Sequence, residues 1–510
     1  MADEYDRHPY TQHAYAETHP CRVGAVARLS GWEPPEIARA RALELGCGRG
    51  GNLLPMAAGL RETTFLGVDR SERQIAEAER VAAGVGLANV TFVRSTFEDL
   101  DLAEGSFDYV VCHGVFSWIA RDARGVLLEK IGRWLAPGGV AYVSFNALPG
   151  WYERLAARDW LRFASAALGA LPETASRSIR WLSAQVSPER TDYRRRLDEV
   201  ARRLEETDAA YARHEYLTDR HFPVLVQAFL DEARAAGLAY LGDAIPATTA
   251  LELLPDEVQR RAASLAEADA QQLVDFVRCT AFRRALLVRG DEARARGWQS
   301  PRRLDPSAIQ SMWVASRLRP REKRTDAAPL EAFEDGSQTV QISDDVVRRA
   351  LHELARISPD TVSFEVLAEQ VFSGSAARSP SSVSGLAQEL FDLWLATGAI
   401  DLLLAPFCLS RAAGERPLAC SLARWQATHG GVVTNRLHQE VQVPDAIVRW
   451  VLARLDGSRS RRELAAEARN LQGAAGAWGE GELEQLVAAS VARLSACGLI
   501  VPSTKDRPRR

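Results

Sequence analysis

Four glycines lie close together near the start of the chain, between two short apolar runs. The first run, residues 42–45, is long enough for a buried strand, and the glycines at 46, 48, 50 and 51 follow it. A helical apolar pattern comes next, and a second run, 65–68, ends in Asp69. Glycines let the backbone approach a ligand closely, and an acid at this distance can accept both hydroxyls of a ribose. The order strand, glycine loop, helix, strand and acid therefore predicts a cofactor site.

The spacing separates this loop from other glycine-rich nucleotide sites. Glu44 precedes the glycines, which gives the pattern E-x-G-x-G-x-G. A nicotinamide-binding loop places its glycines differently, and a P-loop requires a GKS or GKT sequence that is absent here. A glycine-rich turn in another α/β protein is the alternative. The surrounding strand, helix and acid favour the cofactor site.

Composition limits the class of protein. With 510 residues, roughly two to four domains are expected, and 46% apolar with 25% charged residues is ordinary globular composition. The net charge of −4 gives no general attraction to nucleic acid or anionic membranes. The seven cysteines form no CxxC pair, so neither a metal site nor a disulfide framework is predicted. No secretory signal and no bilayer-spanning apolar run are visible, so a cytoplasmic protein is expected.

The alternation of strands and helices continues beyond Asp69. Ser71 is a good N-cap for a helix over 72–84. Later apolar runs predict three more strands, at 90–93, 107–112 and 140–145. Five strands alternating with helices predict an α/β fold with a doubly wound, mostly parallel sheet. Ligands bind at the carboxyl ends of the strands in such sheets, so the loops that follow the strands are expected to form one site.

The segments on either side of this core have their own patterns. Residues 151–216 are helical in pattern and rich in arginine, but interspersed acids favour a solvated helix face over a basic partner surface. Two short apolar runs, 237–241 and 285–288, are expected to be the sixth and seventh strands. The leader, residues 1–40, is rich in tyrosine and histidine. This composition favours an ordered lid over the cleft, and a plain structural arm is the alternative.

The C-terminal part contains two segments of similar design. Each has three helical patterns that end in a glycine and an apolar strand, which is typical of a winged helix. Three pairs of residues share an offset of 100 positions, which indicates an internal duplication: Asp345 and Asp445, Gly398 and Gly498, Ile400 and Ile500. Neither third helix is strongly basic, so protein or peptide binding is preferred to DNA binding.

These patterns divide the chain into six consecutive parts. The predicted parts are an aromatic lid at 1–40, a cofactor-binding Rossmann-like core at 41–150, helical insertions that complete the sheet at 151–290, a linker at 291–337, and winged-helix-like domains at 338–415 and 416–505.

Several motifs together resemble one family, the bacterial protein-lysine methyltransferases, which are class I enzymes dependent on S-adenosylmethionine (SAM). The matching motifs are THPCR at 18–22, LELGCGRGGNLLPMA at the glycine loop, LGVDRSERQI, FDYVVCHGVFSW, LAPGGVAYVSFNALPGW, EYL, FLDEARAAGLAYLGDA, DFVRCTAFRRALLVR and VTNRLHQEV. The resemblance covers nearly the whole chain. It implies a seven-stranded Rossmann-like class I methyltransferase sheet with a regulatory region, followed by C-terminal winged-helix domains of the α+β class.

The resemblance implies SAM as cofactor and S-adenosylhomocysteine as product. Glu44 and the glycine loop are then expected to hold the methionine end, and Asp69 the ribose hydroxyls. Thr96 and Phe97 are expected to flank adenine, although Thr96 replaces a common aspartate and Phe97 has a core position as its alternative. The expected cofactor residues are Glu44, Gly46, Cys47, Gly48, Gly50, Asn52, Asp69, Arg70, Gln74, Thr96, Phe97, His113, Gly114 and Trp118.

A second set of residues is expected to face the methyl acceptor. Trp118 and Trp151 are expected to form an aromatic wall, because a cation is attracted to π faces. Asn146 loosely resembles the asparagine with which other N-methyltransferases bind an amino or amide nitrogen. Tyr15, from the leader, is a further candidate for closing the pocket, and Phe116 is expected to face it. The expected catalytic residues are Tyr5, Tyr10, His19, His113, Ser117, Trp118, Asn146 and Trp151.

The leading hypothesis is an N-methyltransferase acting on a side-chain nitrogen of a protein or peptide, with lysine favoured by the resemblance. The alternatives are a tailoring enzyme that methylates an amide nitrogen or a carboxyl oxygen of a ribosomal peptide, a small-molecule methyltransferase, and a transcription regulator with a SAM fold. The expected partner is a protein or peptide held by the C-terminal region, without nucleic acid or membrane, and a homodimer is compatible with the sequence. Removing residues beyond 335 is expected to leave SAM affinity intact.

Overall fold

One mixed sheet forms the centre of the molecule. The computed structural model describes residues 6, 10–169, 172–300, 303–321, 330–373, 379–407, 409, 414–471 and 480–502. The central sheet contains eight strands: β1 (Arg41–Leu45), β2 (Thr64–Asp69), β3 (Val90–Arg94), β4 (Phe107–Cys112), β5 (Leu135–Leu148), β6 (Val224–Leu225), β7 (Leu238–Asp243) and β8 (Phe282–Arg289). Seven of them lie in the order β3-β2-β1-β4-β5-β8-β7, and β6 pairs with the end of β5.

This topology confirms the predicted sheet, including its sixth and seventh strands. In the parallel part, Leu43 of β1 pairs with Leu66 of β2 on one side and with Val110 of β4 on the other. β8 lies between β5 and β7 and runs antiparallel to both. The alternation of strands and helices in the sequence did not specify this position. The strand order reverses between β1 and β4, so the fold places its ligand crevice at the carboxyl ends of these strands.

Helices cover the sheet and form an insertion beside it. The helices as far as the end of the sheet region are α1 (Pro20–Leu29), α2 (Leu53–Gly59), α3 (Glu72–Gly84), α4 (Arg121–Trp134), α5 (Tyr152–Leu168), α6 (Ala175–Gln185), α7 (Thr191–Glu205), α8 (Ala209–Ala212), α9 (Val226–Ala235), α10 (Asp256–Ala263), α11 (Glu267–Arg278) and α12 (Gly290–Ala295). The side chain of Ser71 accepts the N–H of Gln74 and caps α3 where the sequence predicts. The insertion α5–α8 has a small apolar core of its own, around Leu161, Ile179 and Leu197.

The C-terminal part contains short strands and two groups of three helices. Its strands are β9 (Trp313–Ser316), β10 (Arg319–Pro320), β11 (Glu331–Glu334), β12 (Thr339–Ile342), β13 (Val362–Ser363), β14 (Ile400–Leu403), β15 (Val432–Thr434) and β16 (Glu440–Gln442). Its helices are α13 (Asp345–Ile357), α14 (Phe364–Phe372), α15 (Pro380–Thr397), α16 (Ser421–His429), α17 (Ala446–Arg454), α18 (Arg461–Leu471) and α19 (Glu480–Ala496). The first C-terminal unit consists of β9–β14 and α13–α15, and the second consists of α16, β15, β16 and α17–α19.

The prediction of a linker at 291–337 is wrong for its second half. β9 pairs with β13 and β14, and β10 and β11 form a sheet with β12, so this segment belongs to the first C-terminal unit. Met312, Val314 and Phe333 are buried, whereas the arginines near them are at most partly buried. The average composition of the segment is polar and conceals these buried positions.

The two C-terminal units are built alike, with one correction to the predicted alignment. The helix that opens each unit is capped by an aspartate, Asp344 for α13 and Asp445 for α17, so Asp345 is not the counterpart of Asp445. Gly398 and Gly498 both have positive φ after the third helix. A β-hairpin precedes each opening helix, β11–β12 in the first unit and β15–β16 in the second. The sequence patterns had not revealed these hairpins.

The second C-terminal unit shares a hydrophobic core with the sheet domain. One continuous apolar cluster includes Leu54 and Ile75 from the sheet domain and Leu437, Leu464 and Leu483 from the C-terminal unit. Ser421 of α16 also donates to the carbonyl oxygen of Val85, beyond α3. The sheet domain and the second C-terminal unit are therefore packed as one body. Within the described residues, no helix has both the length and the apolar character needed to span a membrane.

Candidate active site

One cleft of about 620 Å³ opens at the carboxyl ends of the parallel strands. Residues 10–17 of the leader lie across it, and the helical insertion forms one of its walls. Most of the predicted site residues line this cleft: Tyr10, Glu44, Gly46, Cys47, Gly48, Asn52, Asp69, Arg70, Gln74, Thr96, Phe97, His113, Gly114, Trp118, Asn146 and Trp151.

The glycine loop has a backbone that only glycine adopts easily. Gly48 has a φ of +53°, and a Cβ there would lie 2.6 Å from Nε2 of Gln12. Gln12 belongs to the leader, and its Oε1 accepts the N–H of Gly51 at 2.6 Å. The loop therefore has no room for side chains on the side that faces the leader.

Asp69 is fixed at the end of β2 by two backbone hydrogen bonds. Its Oδ2 accepts the N–H of Gly48 at 2.9 Å, and its Oδ1 accepts the N–H of Ser71 at 2.9 Å. These hydrogen bonds hold the carboxylate at the carboxyl end of β2, where it lines the cleft. This arrangement suits a pair of neighbouring hydroxyls.

Glu44 is a buried acid with one oxygen available to a ligand. Its side chain is 3% exposed, and Oε1 accepts from Nδ2 of Asn52 at 2.8 Å. Oε2 has no hydrogen-bond partner among the described residues. Burial raises the pKa of Glu44 to about 8, while the hydrogen bond from Asn52 acts in the opposite direction. A positively charged donor in the cleft would satisfy this oxygen.

Stacked rings line the cleft beside the glycine loop. Tyr15 of the leader stacks on His113 with centroids 3.6 Å apart, and Nδ1 of His113 lies 3.0 Å from the hydroxyl of Tyr142. Burial lowers the pKa of His113 to about 3, and Arg284 adds to this effect. His113 is therefore neutral near pH 7 and acts as an aromatic surface rather than a cation.

Aromatic side chains also surround Asn146, at the end of β5. Trp118 and Trp151 both pack on His221, with ring centroids 4.7 and 4.1 Å away. Burial lowers the pKa of His221 to about 3, so its neutral Nε2 can accept from Nδ2 of Asn146 at 2.9 Å. His221 was not predicted from the sequence. The wall expected from Trp118 and Trp151 thus contains an imidazole that orients the asparagine.

Glu215 is the main residue that the sequence analysis missed. It lines the cleft from a π-helical turn, accepts from the hydroxyl of Tyr10 at 3.2 Å and is hydrogen-bonded by Asn146. Burial raises its pKa to about 7, against the opposing effect of the hydrogen bond from Tyr10 and the charge of Arg154. The only local signal was an acid in the EYL motif. The structure places this acid in the cleft that Tyr10, Trp118 and Trp151 also line.

Four predicted site residues do not line the cleft. His19 caps α1 and packs on Phe407, because its ring faces the C-terminal part. Ser117 is buried behind the cleft, where its Oγ accepts the N–H of Asn146. Gly50 faces Leu54 and Phe92 in the core, and Phe116 is fully buried against Phe145 and Phe229. Tyr5 lies outside the described residues.

Three family models match separate parts of the chain. A methyltransferase domain matches residues 42–139, which contain the glycine loop and Asp69. A predicted methyltransferase regulatory domain matches 208–289, which contain Glu215 and the last three strands of the sheet. The C-terminal winged helix domain of PKMT matches 415–474.

Two curated relatives come from Rickettsia prowazekii, and both are uncharacterized proteins. RP789 is 32% identical over 291 residues, which are 56% of this chain and 53% of the relative, so the chain spans about half of that protein. RP028 is 30% identical over 233 residues, which are 45% of this chain and 93% of the relative.

A solved structure resembles nearly the whole chain. The structure of PKMT2 from Rickettsia typhi in complex with AdoHcy has a TM-score of 0.85 and 23% sequence identity, and it covers 97% of this chain and 100% of that chain. At this identity, the likeness shows a shared fold, from the central sheet to the C-terminal units.

Proposed function

The chain belongs to the bacterial protein-lysine methyltransferase family, and from this premise we propose that it transfers a methyl group from SAM to the ε-amino nitrogen of lysine in a protein. The observation that carries the choice of lysine is Glu215. A buried carboxylate in a cleft that tyrosine and tryptophan rings also line suits an acceptor that arrives as a cation. A carboxylic acid would bring a second negative charge beside this acid, and a neutral small molecule would bring no counter-charge to it.

The polar groups beside β1 and β2 fit SAM. Oε2 of Glu44 would accept from the α-ammonium group, and the carboxylate of Asp69 would accept from the ribose hydroxyls. Thr96 and Phe97 line the end of the cleft where adenine would lie. Bound there, SAM supplies an electrophilic methyl carbon on its sulfonium. Transfer of this methyl group leaves S-adenosylhomocysteine.

Glu215 would prepare the acceptor by taking a proton from it. Near pH 7, only about 1 in 10³ lysine side chains in water is neutral, and only the neutral amine has a lone pair to attack a methyl carbon. The Glu215 carboxylate would accept one proton from the ammonium, which gives the free amine and a neutral carboxylic acid. Tyr10 and Asn146 hold the carboxylate in place, and Glu215 then returns its proton to solvent.

The proposal can be tested with isotopically labelled SAM and a protein extract of the host strain from which the gene has been deleted. We expect label on lysine ε-nitrogens, found by mass spectrometry of tryptic peptides and stable to alkaline treatment. A carboxyl methyl ester is hydrolysed by alkali. Label that alkali removes, or label only in small molecules, would overturn the lysine assignment in favour of the alternatives.

Glu44 gives a prediction about cofactor binding alone. With a pKa of about 8, Glu44 is mostly protonated at pH 7, and a cationic ligand requires its ionised form. SAM binding at pH 7 is therefore expected to release up to about one proton, measured by calorimetry in two buffers of different ionisation enthalpy. In Glu44→Gln this release is expected to disappear and SAM affinity to fall. Equal proton release by the variant would contradict this role.

Glu215 gives a prediction about pH dependence. We expect kcat/KM for a lysine acceptor to rise with pH up to about 7, where Glu215 becomes ionised, and then to level off. Glu215→Gln is expected to lose about 100-fold at pH 7, and its kcat/KM should keep rising toward pH 10, because it can use only the lysine that is already neutral.

The control for this variant is Glu206→Gln, an exposed acid at the end of α7 that makes no contact with the cleft. It is expected to keep the wild-type profile. SAM affinity of Glu215→Gln is expected to stay within about threefold of wild type. A profile of Glu215→Gln that levels off near pH 7 would show that another group accepts the proton.

A further inference from the structure

The hairpin β15–β16 of the second C-terminal unit reaches the cofactor cleft. Its turn is stabilised by Asn435, whose Oδ1 accepts the N–H groups of Leu437 and Gln439 at 2.9 Å each. This turn holds His438 at a φ of +58°, and its ring is 2% exposed. A histidine in this conformation is uncommon, so the turn fixes the ring in a specific direction.

The direction of His438 is toward Asn52, beside the glycine loop. Nε2 of His438 lies 2.8 Å from Oδ1 of Asn52. Burial lowers the pKa of His438 to about 3, so the ring is neutral near pH 7. Because an amide oxygen can only accept, the ring donates to Oδ1 of Asn52 from Nε2. Asn52 in turn donates from Nδ2 to Glu44 at 2.8 Å. A chain of two hydrogen bonds therefore links the C-terminal unit to the acid that faces the cofactor.

Asn52 is the point where three parts of the chain meet. Its Oδ1 accepts the N–H of Tyr15 at 2.9 Å, and its Nδ2 also donates to the hydroxyl of Thr18 at 3.0 Å. With His438 and Glu44 included, the two donor and two acceptor positions of this amide are all used. An amide satisfied in this way has one orientation, and that orientation presents Nδ2 to Glu44.

The same hairpin holds the leader across the cleft. Oε1 of Glu440 accepts the N–H of Ala14 at 3.2 Å and lies 3.0 Å from Nδ1 of His13. The carbonyl oxygen of Leu437 accepts from Arg22 at 2.9 Å. These contacts lie on both sides of Tyr15, the leader residue that stacks on His113.

We propose that the β15–β16 hairpin is a part of the SAM site: it keeps the leader closed over the cofactor, and His438 is a positioning residue that orients Asn52 and, through it, Glu44. The proposal rests on SAM as the ligand of the proposed function, but not on lysine as the acceptor. It differs from the expectation that the C-terminal region acts only on the acceptor. It also predicts that cofactor affinity depends on a residue more than 300 positions from the glycine loop.

The test uses the full chain, because the shared core would be exposed in a truncated one. Two quantities are measured for each variant: the SAM dissociation constant by calorimetry, and hydrogen exchange of peptides that contain residues 10–18 by mass spectrometry. In His438→Ala, we expect SAM affinity to fall about 10-fold and exchange of residues 14–18 to accelerate. His438→Gln keeps an N–H donor at similar reach and is expected to stay within threefold of wild type.

Two further variants separate positioning from general damage. His429→Ala removes an exposed histidine of the same unit and is expected to match wild type in both measurements. Glu440→Ala leaves the core untouched and removes the contacts to Ala14 and His13, so faster exchange there and about threefold weaker SAM binding are expected.

The outcomes distinguish this proposal from the proposed function. Wild-type SAM affinity in His438→Ala, or equal losses in His438→Gln and His438→Ala, would overturn the positioning role. Unchanged exchange of residues 10–18 in all variants would overturn the closure of the leader. Wild-type protein that binds SAM but labels no lysine would contradict only the proposed acceptor, and the hairpin results would keep their meaning.

Discussion

Replacing Gly48 with valine is expected to abolish SAM binding. The φ of +53° at this position is unfavourable for any residue with a Cβ and worse for a β-branched one. The new Cβ would lie 2.6 Å from Gln12 and 3.0 Å from Gln74, both of which line the cleft. Relief of these contacts displaces the ends of both glutamine side chains in the cleft, and the strain at positive φ weakens the hydrogen bond from Gly48 to Asp69. Calorimetry on the purified variant should detect no SAM binding at concentrations that saturate wild type.

Gly86→Val is the matched control for backbone strain. Gly86 has a φ of +70°, and a Cβ there meets no atom within 4 Å, so the variant shares the strain but not the collision in the cleft. Both substitutions are expected to cost about 1–2 kcal/mol of stability. Only Gly48→Val should lose the cofactor. Equal SAM affinity in the two variants would show that the glycine loop does not hold SAM.

Replacing Arg283 with methionine is expected to destabilise the sheet domain by about 3–5 kcal/mol. The guanidinium is 1% exposed and pairs with Asp243 at 2.6 Å and Asp275 at 2.9 Å. Methionine would leave two carboxylates buried without a counter-charge, where desolvation is costly. Urea titration followed by circular dichroism should show the midpoint for loss of the sheet moving to lower denaturant concentration.

Arg289→Met on the same strand is the control for losing an arginine as such. Arg289 is 34% exposed and pairs with Asp291 at the surface, so its removal is expected to cost less than about 1 kcal/mol. β8 also carries Phe282 and Arg284 into the cleft. If both arginine variants unfold at the wild-type midpoint, the buried ion cluster does not hold this strand in the sheet.

The sheet could be predicted from the sequence because its signals are local. The apolar runs of β1 to β4, the cap at Ser71 and the glycine loop each lie within a few residues of the feature they specify. The carboxyl ends of parallel strands meet at one edge of the sheet, so the residues after these strands could be predicted to share one site. Most of the predicted site residues do line one cleft. Local patterns thus sufficed for the cofactor side.

The acceptor side and the C-terminal contacts depend on packing between distant segments. Glu215 follows a helical insertion, and nothing in its neighbourhood shows that the turn faces the cleft. His438 reaches Asn52 across 386 positions. The predicted site roles of His19 and Ser117 were wrong for the same reason. Contacts with distant residues turn both side chains away from the cleft, His19 toward Phe407 and Ser117 toward the backbone of Asn146.

The core shared by the sheet domain and the second C-terminal unit has a consequence for how this enzyme can be varied. Leu54 and Ile75 belong to the same apolar cluster as Leu437 and Leu464, so each part alone would expose apolar side chains that the other part buries. A recombination event that exchanged the C-terminal unit would have to match this apolar surface as well as the turn at His438. The two parts are therefore expected to be inherited together as one unit of selection. Changes within the C-terminal part should then arise by point substitution rather than by domain shuffling.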